Sequence, residues 1–381
     1  MSALRELTDY ARLRVMDLYF GWRTAVLLCA ALVTGPIIAA LYQSDLNRVA
    51  NRTLALLLLA LVGVMIPWMI GFAGFYDHWQ WLTFLPVDLP LLVPPLAYLY
   101  AHALMHGRWP PRAWLALMPG ALHFTVMFAG FCLPLATKNA VAEASGLWIN
   151  ATVAILLVIS FVTTLILLAR DFRHYASWLG DQRSDDARFA TRWLARAIGA
   201  LALLFALWAG FELANLVYPL GYEGLMPLYC GIAAVTVFLS VEGWRHAGLP
   251  WPVMSAVQVE APLPDPTGHD WAALGERWQQ ELRAGGAFCE SDLTLARAAR
   301  LLGTNTSYLS RACNDGLGVS FSTLVNRMRA EAVAAAIEKT PGAGLLDLAL
   351  EAGFASKASF NRAFTERFAM SPSAFRRGLK S

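Results

Sequence analysis

Long runs of apolar residues fill the first two thirds of the chain and are absent from the last third. Seven runs are long enough to cross a bilayer as α-helices, which takes about 20 apolar residues. They cover residues 25–42, 53–75, 81–104, 113–136, 148–169, 198–217 and 224–241. Backbone polar groups inside a membrane need partners within the same segment, so we expect helices. The pattern predicts a seven-helix transmembrane bundle over residues 25–247, after a lead segment of residues 1–24.

Positive charge is concentrated in every second loop between these runs. The loops at residues 43–52, 105–112 and 170–192 contain nine arginines, whereas the three alternate loops contain one basic residue, Lys138. Basic loops remain in the cytoplasm, which predicts an inner-membrane protein with a cytoplasmic C-terminus and an external N-terminus. The four arginines of the lead segment favour the opposite side for the first helix. Aromatic residues near the ends of the runs are expected to anchor them at the interface; these are Tyr42, Trp81, Trp148, Trp193 and Tyr218.

Three ionisable residues, Asp88, His123 and Glu212, lie within or close to the apolar runs. An ionisable side chain in a membrane segment suggests a functional site. One hypothesis is that the three line an outward-opening pocket for an unknown signal ligand. The alternatives are that Asp88 caps a helix beginning at Leu89 and that His123 and Glu212 make ordinary interhelical hydrogen bonds.

The composition changes after residue 247. Residues 248–269 contain five prolines and predict an extended, semi-rigid linker. From Asp270, which can cap a helix carrying Trp271 and Trp278 on its apolar face, residues 270–381 resemble a soluble helical domain. The whole chain is 57% hydrophobic and 15% charged, against about 25% charged in soluble domains. This composition excludes a uniformly soluble enzyme and indicates a membrane part followed by a cytosolic part.

The last ninety residues contain an internal repeat. Each copy has a small residue, a glycine four positions later and a large apolar residue beyond it: Ala299, Gly303 and Leu309, then Ala349, Gly353 and Phe360. The small residue lets a second helix approach, the glycine permits the positive φ that ends the first helix, and the apolar residue packs the second helix. The spacing predicts two helix-turn-helix units, which place their second helices in the DNA major groove.

The second helix of each unit is predicted to present a polar face around one arginine. These faces contain Ser307, Ser310, Arg311 and Asn314 in the first unit, and Ala358, Asn361, Arg362 and Thr365 in the second. Arginine can bind guanine through two hydrogen bonds, so the faces suit base recognition. Residues 321–337 lack glycine and proline and predict one long helix. It would hold the two units about 34 Å apart, one turn of DNA.

Four segments of the cytosolic part carry a resemblance to a known family. They are SYLSRACNDGLGVSF, VNRMRAEAV, LALEAGFASKASFNRAF and RFAMSPSAFRR. Over about 105 residues this part resembles the DNA-binding domain of AraC/XylS-type transcription regulators. The resemblance implies that Ser307, Ser310, Arg311, Lys357, Ser359, Asn361 and Arg362 face the bases. Ala369 departs from the pattern, because the family has glycine there.

The membrane part is similar to a subgroup of that family with an integral-membrane N-terminus, through NRTLALLLLALVG at Asn51 and LLVPPLAYLYAHAL at Leu91. The expected fold is therefore all-α, and the expected function is a membrane-embedded regulator that couples an unknown signal to promoter binding. Double-stranded DNA and the lipid bilayer are the expected partners, with RNA polymerase and a second copy of the chain left open.

No Ser-His-Asp set, phosphate-binding loop or metal cluster stands out in the sequence. We therefore expect no enzyme, and neither a cofactor nor a metal ion. Two alternatives remain, a transporter with a regulatory tail and a membrane scaffold whose tail binds protein.

Overall fold

The computed structural model describes residues 18–182, 191–218, 220–249, 251–254 and 270–379. Contacts divide the chain into one unit of residues 1–171 and 193–253 and another of residues 172–192 and 254–381. The division at residue 253 falls inside the predicted linker, most of which lies outside the described residues. The described residues form an all-α fold, as the apolar and repeat patterns predict.

Nine α-helices lie between Trp22 and Ala247 in the described residues. Seven of them are α1 (Trp22–Gln43), α2 (Arg48–Phe72), α3 (Val93–His106), α4 (Trp114–Phe131), α5 (Leu135–Gln182), α6 (Thr191–Val217) and α7 (Met226–Ala247), and the other two are single turns, Phe75–His78 and Gly221–Gly224. Six of the seven are long and apolar enough to cross a membrane, and α3 is not. Helix α5 has 48 residues, so it includes the predicted fifth span and the predicted loop of residues 137–147. It also includes residues 170–182, so this part of the third predicted basic loop is helical.

The third predicted span, residues 81–104, is not one helix. It contains two 3-10 turns, Gln80–Leu82 and Pro90–Leu92, followed by α3. Proline has no N–H to donate, so it disturbs a helix least in the first turn, where the N–H groups have no partner within the helix. Pro94 and Pro95 lie in the first turn of α3. The Pro90–Leu92 turn and α3 together reach roughly 27 Å, close to the ~30 Å thickness of a bilayer core.

The cap predicted for Asp88 is wrong. The 3-10 turn begins at Pro90, Leu89 precedes it, and no side chain caps it. The Oδ1 atom of Asp88 is buried and accepts no hydrogen bond from the described residues.

Hydrogen bonds bring the first two basic loops, residues 43–52 and 105–112, close to the end of α7 at one end of the first unit. The Asn47 side chain donates to the Leu249 carbonyl at 2.8 Å, next to the end of α7. The Trp109 indole donates to the Thr53 hydroxyl at 2.8 Å, which joins the second basic loop to the first. The chain therefore leaves this unit beside two of its basic loops.

At the opposite end of the unit, two basic side chains link segments that are distant in the sequence. Lys138 is buried and donates to the carbonyls of Trp81 at 2.9 Å and Thr83 at 3.3 Å. Arg23 forms an ion pair with Glu223 at 2.6 Å. Lys138 is the one basic residue of the alternate loops, and Arg23 belongs to the lead segment.

Trp193 is not an interfacial anchor. Its side chain is buried, its indole donates to the Tyr100 hydroxyl at 3.2 Å, and its ring stacks on His246 at 5.2 Å. The Trp193 indole therefore contacts two other helices, α3 through Tyr100 and α7 through His246, and does not face outward. The other four predicted anchors are exposed; they are Tyr42, Trp81, Trp148 and Tyr218.

Seven further helices form the C-terminal part. They are α8 (Trp271–Ala284), α9 (Leu295–Leu301), α10 (Thr306–Arg311), α11 (Phe321–Lys339), α12 (Leu345–Glu351), α13 (Lys357–Phe368) and α14 (Pro372–Gly378). Asp270 caps α8 by accepting from the Ala273 N–H, as predicted. Helix α11 is the predicted long helix, two residues longer at its C-terminus than the sequence pattern indicates.

Two apolar clusters are separated along α11. The first packs Trp278 and Leu309 against Phe321, and the second packs Phe360 and Phe364 against Ile337. Both clusters consist only of residues from Trp271 onward. The C-terminal part therefore has its own core, and α11 contributes to both halves of it.

Arg329 on α11 is almost completely buried, with 1% of its surface exposed. Its Nε and Nη2 donate to the carbonyls of Phe288 and Glu290, each at 2.6 Å. The intervening residue Cys289 also lies close to the second unit, since a Cβ at Gly353 would clash with its carbonyl oxygen. The turn at residues 287–290 is thus held between α11 and the second helix-turn-helix unit.

Ala369 ends α13 in the left-handed conformation, with φ of 53°. The family pattern has glycine here, because an L-residue in this conformation costs roughly 1–2 kcal/mol. The turn therefore forms despite the alanine, and the fold is unchanged.

We expect Arg329→Met to lower the free energy of unfolding of residues 270–381 by about 3 kcal/mol, because two part-buried carbonyls lose the donors of a buried guanidinium. Urea denaturation measures the loss. Arg327→Met is the matched control, since Arg327 is two positions earlier and exposed; it should change stability by less than about 0.5 kcal/mol. Equal effects of the two substitutions would contradict the role given to Arg329.

We expect Ala369→Gly to raise the free energy of unfolding by about 1 kcal/mol, because glycine has no Cβ to strain the left-handed conformation. The control is Ala335→Gly at an exposed site inside α11, which should destabilise by about 1 kcal/mol. Thermal unfolding of the two variants should shift in opposite directions. A lower melting temperature for both would show that the turn at Ala369 is not strained.

Candidate nucleic-acid interface

The two repeat copies fold into the two predicted helix-turn-helix units. Their first helices, α9 and α12, begin 50 residues apart at Leu295 and Leu345, and their second helices, α10 and α13, begin 51 residues apart. The glycines between them have positive φ, 64° at Gly303 and 92° at Gly353. The helix offsets and both glycine conformations are those that the sequence pattern predicts.

The same backbone hydrogen bond closes both turns. The N–H of Thr304 donates to the carbonyl of Ala299 at 2.9 Å, and the N–H of Phe354 donates to that of Ala349 at 2.9 Å. Both alanines are buried, so their small side chains allow the close approach of the second helix. The two units therefore share a backbone mechanism as well as a sequence pattern.

The second helix of each unit begins at a capping side chain. Asn305 accepts from the Tyr308 N–H at 2.8 Å, and Ser356 accepts from the Ser359 N–H at 3.2 Å. These caps satisfy backbone donors that the first helical turn leaves unpaired.

The polar face of the first unit is formed by an α-helix followed by a π-helical turn. Helix α10 ends at Arg311, and residues Ala312–Gly316 continue as the π-helical turn. A Cβ at Gly316 would clash with the Trp271 carbonyl, so this turn lies against the start of α8. Ser310 accepts from the side chain of Asn314 at 3.2 Å. The predicted single α-helix is therefore wrong, although its polar residues stay together.

Arg311 contacts two neighbours on this face. Its guanidinium lies 4.5 Å from the ring centroid of Trp271, and its Nε donates to Asp315 at 3.2 Å. The Arg311 side chain is 28% exposed. Trp278 is buried in the core, as expected, whereas Trp271 is only partly buried. Sequence reasoning treated Trp271 as a packing residue and missed its contact with the arginine.

The second unit presents a larger exposed face. Lys357, Asn361 and Arg362 are exposed on α13, and so are Ala358 and Thr365. Phe360 and Phe364 occupy the opposite, buried face. The helical spacing in the sequence therefore separates the two faces correctly.

Ser359 does not lie on this exposed face. It is 6% exposed, and its hydroxyl donates to the Ser356 carbonyl at 2.9 Å. Its side chain belongs to the cap of α13, so the base-facing position implied for it is wrong.

Glu331 on α11 links α8 to the second helix-turn-helix unit. It accepts from Arg283 of α8 at 2.6 Å and from Arg367 of α13 at 2.8 Å. Sequence reasoning did not identify these two ion pairs, because each joins residues more than 30 positions apart.

Cys289 lies in the turn of residues 287–290 that Arg329 contacts. Burial raises the pKa of the Cys289 thiol, against the opposing effect of Arg329.

The residues of the predicted signal pocket lie on three different segments. Asp88 precedes the Pro90–Leu92 turn, His123 is on α4, and Glu212 is exposed on α6. The Nδ1 atom of His123 is buried and has no hydrogen-bond partner in the described part of the chain. Within the same described residues, no hydrogen bond or ion pair joins two of the three side chains. That Asp88, His123 and Glu212 line one pocket stays a prediction.

An apolar cavity of about 400 Å³ adjoins Asp88. It is lined by α2, α3, α4 and the segment between them, including Val87 and Leu89 on either side of Asp88. His123 and Glu212 do not line it.

Comparison with known proteins identifies the C-terminal part. Residues 298–378 match the family model described as a helix-turn-helix domain. One solved structure, the C-terminal domain of AraT, a response regulator from Geobacillus stearothermophilus, is similar at 29% sequence identity with a TM-score of 0.25. The similarity covers 29% of this chain and 88% of that chain. No curated protein matches the chain.

We expect Gly353→Ala to destabilise the C-terminal part more than Gly303→Ala. Both substitutions place a side chain at positive φ, which costs roughly 1–2 kcal/mol. A Cβ at Gly303 meets open space, whereas one at Gly353 meets the Cys289 backbone. Urea denaturation of residues 270–381 should therefore give about 1 kcal/mol for Gly303→Ala and at least about 3 kcal/mol for Gly353→Ala. Equal losses would mean that the contact with Cys289 is unimportant.

Proposed function

We propose that this chain, whose C-terminal part is an AraC-type helix-turn-helix domain, is a membrane-embedded, sequence-specific transcription regulator. The observation that carries the proposal is the pair of identically closed units, each with a polar face around an arginine. The proposed DNA contacts are Ser307, Ser310, Arg311, Asn314, Lys357, Asn361 and Arg362. Arginine and asparagine can each bind a base edge through two hydrogen bonds, so the two faces suit direct recognition of sequence.

Apolar exposure supports the membrane assignment of the first unit. Large apolar side chains on α4 and α5 are exposed, including Leu122 at 65%, Ile155 at 60% and Ile166 at 62%. Such surfaces are costly in water and are normal against lipid. Since the chain leaves this unit beside two basic loops, the C-terminal domain would enter the cytoplasm.

Coupling to a signal is a separate part of the proposal. Asp88, His123 and Glu212 remain the candidate residues for an outward-facing signal pocket. Asp88→Asn and Glu212→Gln are expected to weaken the response of a promoter reporter while leaving the amount of protein in the membrane unchanged. If neither substitution changes the response, the pocket hypothesis fails.

The isolated domain tests DNA binding directly, because its apolar core consists only of residues from Trp271 onward. Residues 270–381 are expected to bind duplex DNA, and Arg362→Ala should cost ~1–3 kcal/mol at the preferred sequence and relax one base position. Arg327→Ala is the matched control, since Arg327 is exposed on α11 and outside the proposed faces. Unchanged affinity and unchanged preference for Arg362→Ala would contradict its role.

A salt series separates this function from a protein-binding scaffold or a transporter tail. Phosphate contacts release counterions, so the affinity of a DNA-binding domain falls steeply as salt rises. A flat series would favour the scaffold. RNA polymerase and a second copy of the chain remain possible partners that this experiment leaves open.

A further inference from the structure

Helix α8 lies outside the residues that match the helix-turn-helix family, yet it packs closely against the first unit. A Cβ at Gly275 would lie 2.8 Å from the Ala312 carbonyl oxygen, and one at Gly316 would clash with the Trp271 carbonyl. Two glycines therefore allow the backbone of α8 to touch the π-helical turn that follows α10. This approach brings the ring of Trp271 beside the polar face of the first unit.

The guanidinium of Arg311 is held from two directions. The Trp271 ring lies on one side, with its centroid at 4.5 Å, and a cation over an indole face is attracted at this distance. Asp315, one turn further along, accepts from Nε at 3.2 Å. The ring limits where the guanidinium can lie, and the hydrogen bond limits how it can rotate.

Resting on the DNA recognition proposed above, we infer that Trp271 and Asp315 are positioning residues that hold Arg311 in the orientation for its base contact. A free arginine loses rotamer entropy when it binds, and this loss reduces affinity. Here the side chain is ordered before DNA arrives. Since a bidentate contact requires the guanidinium plane to align with the guanine edge, an ordered plane also sharpens discrimination.

The second unit shares one part of this arrangement in sequence. Glu366 follows Arg362 by four positions, as Asp315 follows Arg311. At the repeat offset of 50 residues, Trp271 corresponds to Phe321, which is buried in the first apolar cluster. Trp271 contacts Arg311 of the first unit, so it should affect recognition where Arg311 makes its contact.

The test uses the full chain in lipid nanodiscs and a pool of duplexes with about 25 randomised base pairs, enough for two half-sites one helical turn apart. The duplex selected by the wild-type chain is then varied at each base pair. Trp271→Leu should lower affinity for the selected duplex about 3- to 10-fold, and the loss should concentrate at the base pair whose preference Arg311→Ala abolishes. Trp271→Phe, which keeps an aromatic face, should retain most of the preference.

A double-mutant cycle distinguishes positioning from a general structural effect. In the Arg311→Ala background, Trp271→Leu should cause no further loss of affinity for the duplex that the wild-type chain selects. An equal loss in both backgrounds would overturn the inference, because it would mean that Trp271 acts only through folding. A gain in affinity for Trp271→Leu would also overturn it, since the ring would then shield Arg311 from DNA.

Asp315→Ala is a second variant that does not disturb the core, because the Asp315 side chain is 53% exposed. It removes both the negative charge and the acceptor of Arg311 Nε, so affinity for unselected duplexes should rise, while discrimination at the Arg311 base pair falls. Unchanged discrimination for Asp315→Ala would remove Asp315 from the inference. A wild-type chain that selects no sequence would overturn the proposed function together with this inference, whereas the results above overturn the inference alone.

Discussion

The C-terminal domain depends on satisfying one buried cation. A guanidinium removed from water needs acceptors for its donors, and leaving them unpaired would cost several kcal/mol. Arg329 finds these acceptors in two backbone carbonyls of the turn at residues 287–290. The same turn touches Gly353, so a single polar requirement fixes α11, the turn and the second helix-turn-helix unit against one another. No apolar residue would impose the same constraint, because apolar contacts have no fixed direction.

Around this fixed point the two units differ in how their arginines are presented. Glu331 extends the connection from α11 to α8 and α13 through ion pairs with Arg283 and Arg367. Arg362 is exposed, whereas Arg311 lies on an indole ring and beside a carboxylate. Rigid elements position binding residues more accurately than loops do. The two units thus have similar backbones, but their arginines have different local environments.

The first unit is held by polar contacts at its two ends. Asn47 and Trp109 join segments at one end, and Lys138 and the Arg23–Glu223 pair join segments at the other. Between these ends the helices expose large apolar side chains, including Leu122, Ile155 and Ile166. The polar contacts therefore lie at the helix ends, and the apolar surface lies between them.

The sequence by itself determined the apolar helices, the two helix-turn-helix units and the positive φ of Gly303 and Gly353. These features follow from local periodicity and from conformations that few residues adopt. Only the tertiary structure decided that Ser359 caps a helix, that Trp193 binds other helices, that prolines divide the third span and that α10 continues as a π-helical turn. It also decided the contacts of Arg329 and Trp271. Each of these outcomes depends on side chains or carbonyls that folding brings together from distant positions, or on local competition for hydrogen bonds that periodicity does not describe.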